Sequence, residues 1–237
     1  SPAHSSSPLP ASRNNKFASN LQYTGGTGTG FTLEQIRWGD HHNFERIVLE
    51  FSSPATVKED LPRMKVETEF YPMRLAIRMP GSRSQGGVDL AAGDLFTRSK
   101  LISGMDIFDA CAGGQHLSII PARPVEFEVF TLTSPPRLVI DVILSRMPPM
   151  REERKYSVRT LPLYGDQVCL FLEEAANAGV TPRLITDSDR QVFGELGLYD
   201  DAEEAFSAAA RLRDSLGKQF SLTVKPRGMM TVPAVVP

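Results

Sequence analysis

Phe130-Thr131-Leu132-Thr133-Ser134-Pro135-Pro136-Arg137-Leu138-Val139-Ile140-Asp141-Val142 is the stretch on which the reading of the fold turns. Leu138, Ile140 and Val142 alternate with Arg137 and Asp141, and successive side chains of a strand point to opposite faces, so the segment can bury one face and wet the other. The paired prolines mark the corner from which this strand departs. Working outward, the same period of two returns in Val125, Phe127 and Val129 against Glu126 and Glu128. It recurs in Leu75, Ile77 and Met79, in Met64, Val66, Thr68 and Phe70, and in Ile47, Leu49 and Phe51. Strands with one apolar face, punctuated by Pro54, Pro62, Pro72 and Pro80-Gly81, predict a β-sandwich over residues 31–147.

Residues 1–30 read differently. Ser-Ser-Ser, Pro8, Pro10 and Gly25-Gly26-Thr27-Gly28-Thr29-Gly30 bring almost no large apolar side chain, so the segment has little burial to offset its ordering entropy and is expected to be a flexible tether or a disordered terminus. The glycine run lacks the Lys-Ser or Lys-Thr of a phosphate-binding loop. Arg146-Met147-Pro148-Pro149-Met150, followed by four charged residues, marks a boundary, with a linker over 148–154.

Beyond it the period changes. Asp200 to Leu216 sets Ala202, Ala205, Ala209, Leu212 and Leu216 on one stripe, with Asp200 and Glu203 at capping-box spacing. A second helix is predicted over Asp166–Ala178, stopped by Gly179. Strands are expected at Tyr156–Leu161, Arg183–Thr186, Gln191–Leu196 and Phe220–Val224, giving the order βαββαβ. Leu161-Pro162-Leu163-Tyr164-Gly165-Asp166 is echoed 35 residues later by Leu196-Gly197-Leu198-Tyr199-Asp200-Asp201, one βαβ half apart. The fold class expected is therefore mainly β plus α+β, with a ferredoxin-like domain at 155–227 and a tail at 228–237. One face of its sheet is left uncovered by the helices, as either a binding surface or a contact with the other domain.

Composition narrows the function. Twenty-six basic residues against 28 acidic ones give a net charge of −2, without the basic excess of a nucleic-acid binder, so no nucleic-acid partner is expected. No apolar run approaches the roughly 20 residues of a membrane-spanning helix. The start at Ser1 rather than methionine points to a trimmed or mature chain whose targeting segment has been removed. Cys111 and Cys169 lack metal-ligand neighbours and read as buried, unpaired thiols.

Catalysis finds little foothold. A catalytic zinc needs about three protein ligands, and the histidines are His4, His41, His42 and His116. His41-His42 is simpler as hydrogen-bonded turn residues, Asp187-Ser188-Asp189 as a hairpin turn, and Glu173-Glu174 and Glu203-Glu204 as solvated helix faces. The chain is expected to be no enzyme and to hold no cofactor or metal.

Two stretches carry a resemblance to AMIN or AMIN-like domains of bacterial envelope proteins. One is Ile36-Arg37-Trp38-Gly39-Asp40-His41-His42-Asn43-Phe44-Glu45-Arg46-Ile47-Val48-Leu49-Glu50-Phe51, and the other is the Pro-Arg-Leu-Val-x-Asp strand quoted at the outset. The part after Lys155 resembles a SPOR domain in length, element order and paired half-motifs, with Val158-Arg159 and Gly197-Leu198-Tyr199 at the places where that family reads Val-Gln and Gly-Pro-Phe. The resemblance implies a periplasmic, exported protein that binds peptidoglycan glycan strands or envelope proteins. It would be peripheral to the membrane, with either a lipid anchor or a cleaved signal peptide outside the given chain. It nominates Arg159, Thr160, Phe193 and Glu195 as glycan-binding candidates. Arg159 and Thr160 both stand because a one-residue slip exchanges the faces of a strand. Phe193 is either an exposed platform for a sugar ring or ordinary core.

Overall fold

The computed structural model describes residues 17–54, 60–88, 94–146, 153–187, 189–216, 219–228 and 230. The chain divides into two compact units, one of Ser1–Glu69 with Met73–Pro148 and one of Phe70–Pro72 with Pro149–Pro237. The first unit holds β1 (Gln22–Gly25), β2 (Thr32–Asp40), β3 (Glu45–Ser52), β4 (Met64–Glu69), β5 (Arg74–Pro80) and β6 (Arg83–Ser84). It continues with β7 (Ile102–Asp109), β8 (Gly114–Pro121), β9 (Val125–Thr133) and β10 (Pro136–Leu144). They form two five-stranded sheets, ordered β1-β4-β5-β8-β7 and β6-β2-β3-β10-β9. In the second sheet Leu138 lies opposite Leu49 and Ile140 opposite Ile47, and all four are fully buried. The next pair along, Arg46 and Asp141, lie opposite each other and point to the other face, as a period of two demands.

A buried carboxylate fixes the long connection into β7. Glu45 accepts from Trp38 Nε1 at 2.9 Å, from the backbone N–H of Lys100 at 2.8 Å and of Leu101 at 3.1 Å, and from the Ser99 hydroxyl. Four donors satisfy the carboxylate that burial has taken out of water.

The second unit runs β11 (Lys155–Thr160), α1 (Gln167–Asn177), β12 (Arg183–Thr186), β13 (Val192–Tyr199), α2 (Ala202–Ser215) and β14 (Leu222–Arg227). Its strands make one antiparallel sheet in the order β12-β13-β11-β14. Val158, Leu196 and Leu222 pack with Phe171 and Ala175 of α1 and with Ala205, Ala208 and Ala209 of α2. Phe171 meets Phe220 edge-on at 5.6 Å. The α2 cap is Asp201, whose side chain accepts from the N–H of Glu203 at 2.7 Å and of Glu204 at 3.0 Å. Asp200, expected to cap, pairs instead with Lys155.

Three expectations are corrected. The fold class is mostly β, with 51% in strands and 14% helical among the described residues, in three sheets with two helices; the mainly β plus α+β, ferredoxin-like designation gives way to it. The physical reason is that period two extends into stretches left unassigned from the sequence, such as the paired β7 and β8, whereas helical periodicity holds over only two described segments. Second, the tether does not reach residue 30. Leu21 is buried, β1 pairs with β4, and Gly28 N–H donates to Leu61 O while Arg63 N–H donates to Gly28 O. The glycines are there for close approach: Gly26 has φ +67°, and a Cβ on it would lie 2.1 Å from Pro62 O. Residues 1–16, position 147, the linker positions 148–152 and, of the expected tail, 229 and 231–237 fall outside the described residues. Third, both cysteines are exposed and disulfide-bonded, and neither is free.

Gly26→Ala tests the second correction. A mobile tether would leave stability within about 0.5 kcal/mol of the parent chain. The packed corner predicts a loss of about 2 kcal/mol or more, from left-handed backbone and clash together, read as a fall in the urea midpoint.

Candidate functional site

The four sequence candidates sit on the C-terminal sheet, and the backbone decides which of them meet. On β11, Tyr156 and Val158 face the helices, so Ser157 and Arg159 occupy the opposite face. A register shift lies between Val158 and Arg159, so that Val158 opposes Gly197 while Arg159 opposes Glu195. Arg183 and Ile185 of β12 oppose Glu195 and Phe193 in turn. One face therefore gathers Ser157, Arg159, Arg183, Ile185, Phe193 and Glu195. Thr160 is on the other side of the strand, where its Oγ1 accepts from Gly194 N–H at 3.0 Å. A Cβ on Gly194 would run into Phe171 of α1, which places this contact on the helix side. The structure thus selects Arg159 over Thr160 as the partner of Phe193 and Glu195.

That face is not an open platform, and of the two readings of Phe193 the structure shows the buried one. Relative exposures are 2% for Arg159, 1% for Thr160, 0% for Phe193 and 3% for Glu195. Glu195 is the hub. It accepts from Arg183 Nε at 2.9 Å and from the Ser157 hydroxyl, and Arg227 Nη1 stands 3.6 Å from its second oxygen. The Arg159 guanidinium lies 5.1 Å from the centroid of the Phe193 ring, a cation–π contact. Burial pulls the Arg159 pKa below its ordinary value, with Glu195 and Asp187 opposing the shift. Arg183 also donates to the carbonyls of Phe70 and Tyr71, and Lys155 Nζ lies 5.9 Å from the Tyr71 ring. Tyr71 has φ +60°, a costly backbone for a bulky residue. Sequence reasoning missed Ser157, Arg183 and Arg227. Their signal was the polar side of each alternation, which could equally have been solvent.

In the first unit, the two stretches that carried the envelope resemblance join at one ion pair. Arg46 donates through Nε and Nη2 to both oxygens of Asp141, at 2.6 and 2.7 Å. Its guanidinium lies over the rings of Phe44 at 5.0 Å and Phe130 at 5.5 Å. The bond to Asp141 holds the Arg46 pKa above its ordinary value. His41 stacks on Phe44 with centroids 4.6 Å apart, and its N–H donates to Phe44 O, so it serves the turn. His42 is exposed in the same turn. His116 on β8 faces Arg78 of β5 and Phe108 of β7. Among the described residues no group of three or more His, Cys, Asp or Glu side chains is gathered as a metal site.

No family model matches the chain, and no curated protein matches it.

Two measurements follow from these environments. Glu195→Ala removes the carboxylate that Arg183 and Arg227 face, and breaking a buried pair costs about 3–5 kcal/mol; a surface glycan ligand would cost less than about 0.5 kcal/mol. Chemical denaturation separates the two. For His116, burial first and the Arg78 charge second hold the pKa below its ordinary value, with Glu69 opposing. The folded state therefore favours neutral imidazole, so this contribution is complete above about pH 6.5 and is lost as pH falls through the lowered folded value. Replacing His116 with Gln should flatten the decline in urea midpoint on acidification below neutrality, and an unchanged slope would remove His116 as its source.

Proposed function

We propose that this chain is a non-catalytic interaction scaffold of a bacterial cell envelope, exported to the periplasm and assembled with envelope proteins. The observation that carries the reading is the burial of Phe193 together with Arg159, Thr160 and Glu195. A glycan strand needs an accessible ring and accessible hydrogen-bonding groups, and here those groups serve one another. Export draws support from the cysteines. Two exposed cysteines, both disulfide-bonded, fit an oxidising compartment, because cytosolic thiols are kept reduced. The envelope setting draws support from the Arg46–Asp141 pair, which ties together the two stretches on which the resemblance rests.

Peptidoglycan binding is the second reading, and one experiment separates the two. Purified sacculi are incubated with the full chain at low and moderate salt and sedimented. The scaffold reading expects no more chain in the pellet than a non-binding control protein leaves there. Its complement is a set of discrete protein adducts on cross-linking in the host envelope. Saturable retention on sacculi overturns the scaffold reading in favour of glycan. Export has its own check: thiol titration of the purified chain in denaturant should find no free thiol before reduction and both cysteines after it.

A further inference from the structure

The repeated motif of the second unit meets two different fates. In the later copy Leu196 is buried and Tyr199 packs against the core. In the earlier copy Leu161 is 44% exposed and Tyr164 63% exposed, and one helical turn on Leu170 is 40% exposed. Three large apolar side chains thus reach solvent within ten residues, at the corner where β11 hands over to α1. Scattered apolar residues are ordinary on a surface, but three large exposed ones within ten residues, at one strand-to-helix corner, are where an interaction site is to be sought.

The backbone of this corner is held firmly. Tyr164 N–H donates to Gln167 Oε1 at 2.9 Å and Gln167 N–H returns to Tyr164 O at 3.1 Å, a turn closed by backbone and side chain together. Leu163 N–H donates to Val192 O at 2.7 Å and Leu161 N–H to Ser221 O at 3.2 Å. Gly165 turns the chain at φ +53°. A ring presented on a fixed backbone loses little conformational freedom when a partner covers it.

Charge selects the occupant. From Leu161 to Pro182 the chain holds Asp166, Glu173 and Glu174 and no lysine or arginine. Gln167, Leu170, Glu173 and Glu174 stand at i−3, i, i+3 and i+4, so they share one side of α1. A glycan strand stripped of its peptides carries lactyl carboxylates and would be repelled. We infer that this corner docks a segment of a partner protein that alternates basic and apolar residues, its apolar side chains covering Leu161, Tyr164 and Leu170 and its cations facing Glu173 and Glu174. The inference rests on the scaffold reading and supplies its partner chemistry.

The test uses the full chain labelled with nitrogen-15. It is titrated separately with a short synthetic peptide alternating lysine and leucine, with the same peptide carrying glutamate for lysine, and with peptide-free glycan strands. The basic peptide should shift the amides of residues 161–174, and binding should weaken in high salt. Tyr164→Ala and, independently, Leu170→Ser should each weaken it about tenfold. Both positions are exposed, and a melting temperature equal to that of the parent chain confirms that each variant folds. Shifts elsewhere, equal binding of the acidic peptide, insensitivity to both substitutions, or shifts of the same amides by glycan strands overturn the inference. Failure here with no retention on sacculi removes the site and leaves the scaffold reading standing, whereas retention on sacculi removes the scaffold reading itself.

Discussion

A carboxylate that is 3% exposed governs the C-terminal unit. Moving an ionised Glu195 out of water costs several kcal/mol unless hydrogen bonds and opposite charge replace the lost hydration. Arg183, Ser157 and Arg227 supply that replacement, and all come from strands that flank β13 directly or through β11. The cations are then buried with the acid, and Arg159 finds the face of Phe193 beside them. Once Glu195 is inside, the arginines around it cannot reach for an external polymer without leaving it. The polar groups of this face are committed to one another by that ionised group, and this commitment is what supports the proposed scaffold reading over the glycan one.

The strands of the first unit were legible because alternation is a strong signal wherever one face is buried. The partner of each strand was not, yet Arg46 and Asp141, singled out as parts of two separate stretches, turn out to be cross-strand neighbours. Their bidentate pairing, half-buried Arg46 on buried Asp141, explains why charged residues stand at those points of otherwise apolar strands. The stretch 81–114 was opaque: β6 is two residues long and pairs in parallel with β2, too short to show a period. The glycine run misled for a different reason. Glycine signals both disorder and close approach, and only the positions of Leu61, Pro62 and Phe31 against Gly26 and Gly28 separate them.

At the candidate site the sequence could name residues but not faces. The sequence does not separate Arg159 from Thr160, because a strand's two sides differ by one residue, and the register shift between Val158 and Arg159 is a local irregularity that no periodicity announces. Exposure was equally hidden. Phe193 could be a platform or core until its neighbours were placed, and the two cysteines looked like small hydrophobes because pairing is a property of the folded chain alone.

The net charge of −2 conceals a separation that sequence arithmetic averages away. On the sheet face of the second unit Arg159, Arg183 and Arg227 surround Glu195; Arg159 and Arg227 are buried and Arg183 is half-buried in its bond to Glu195, so much of this positive charge is withdrawn from solvent. The stretch through α1 carries only acids and places them beside exposed leucine and tyrosine. Overall neutrality speaks to the sum of charge over the chain and not to where the charge lies. It could not reveal that the accessible charge on this part of the surface is negative. A partner reads the accessible charge, so the local sign at α1, rather than the sum over the chain, is what bears on recognition.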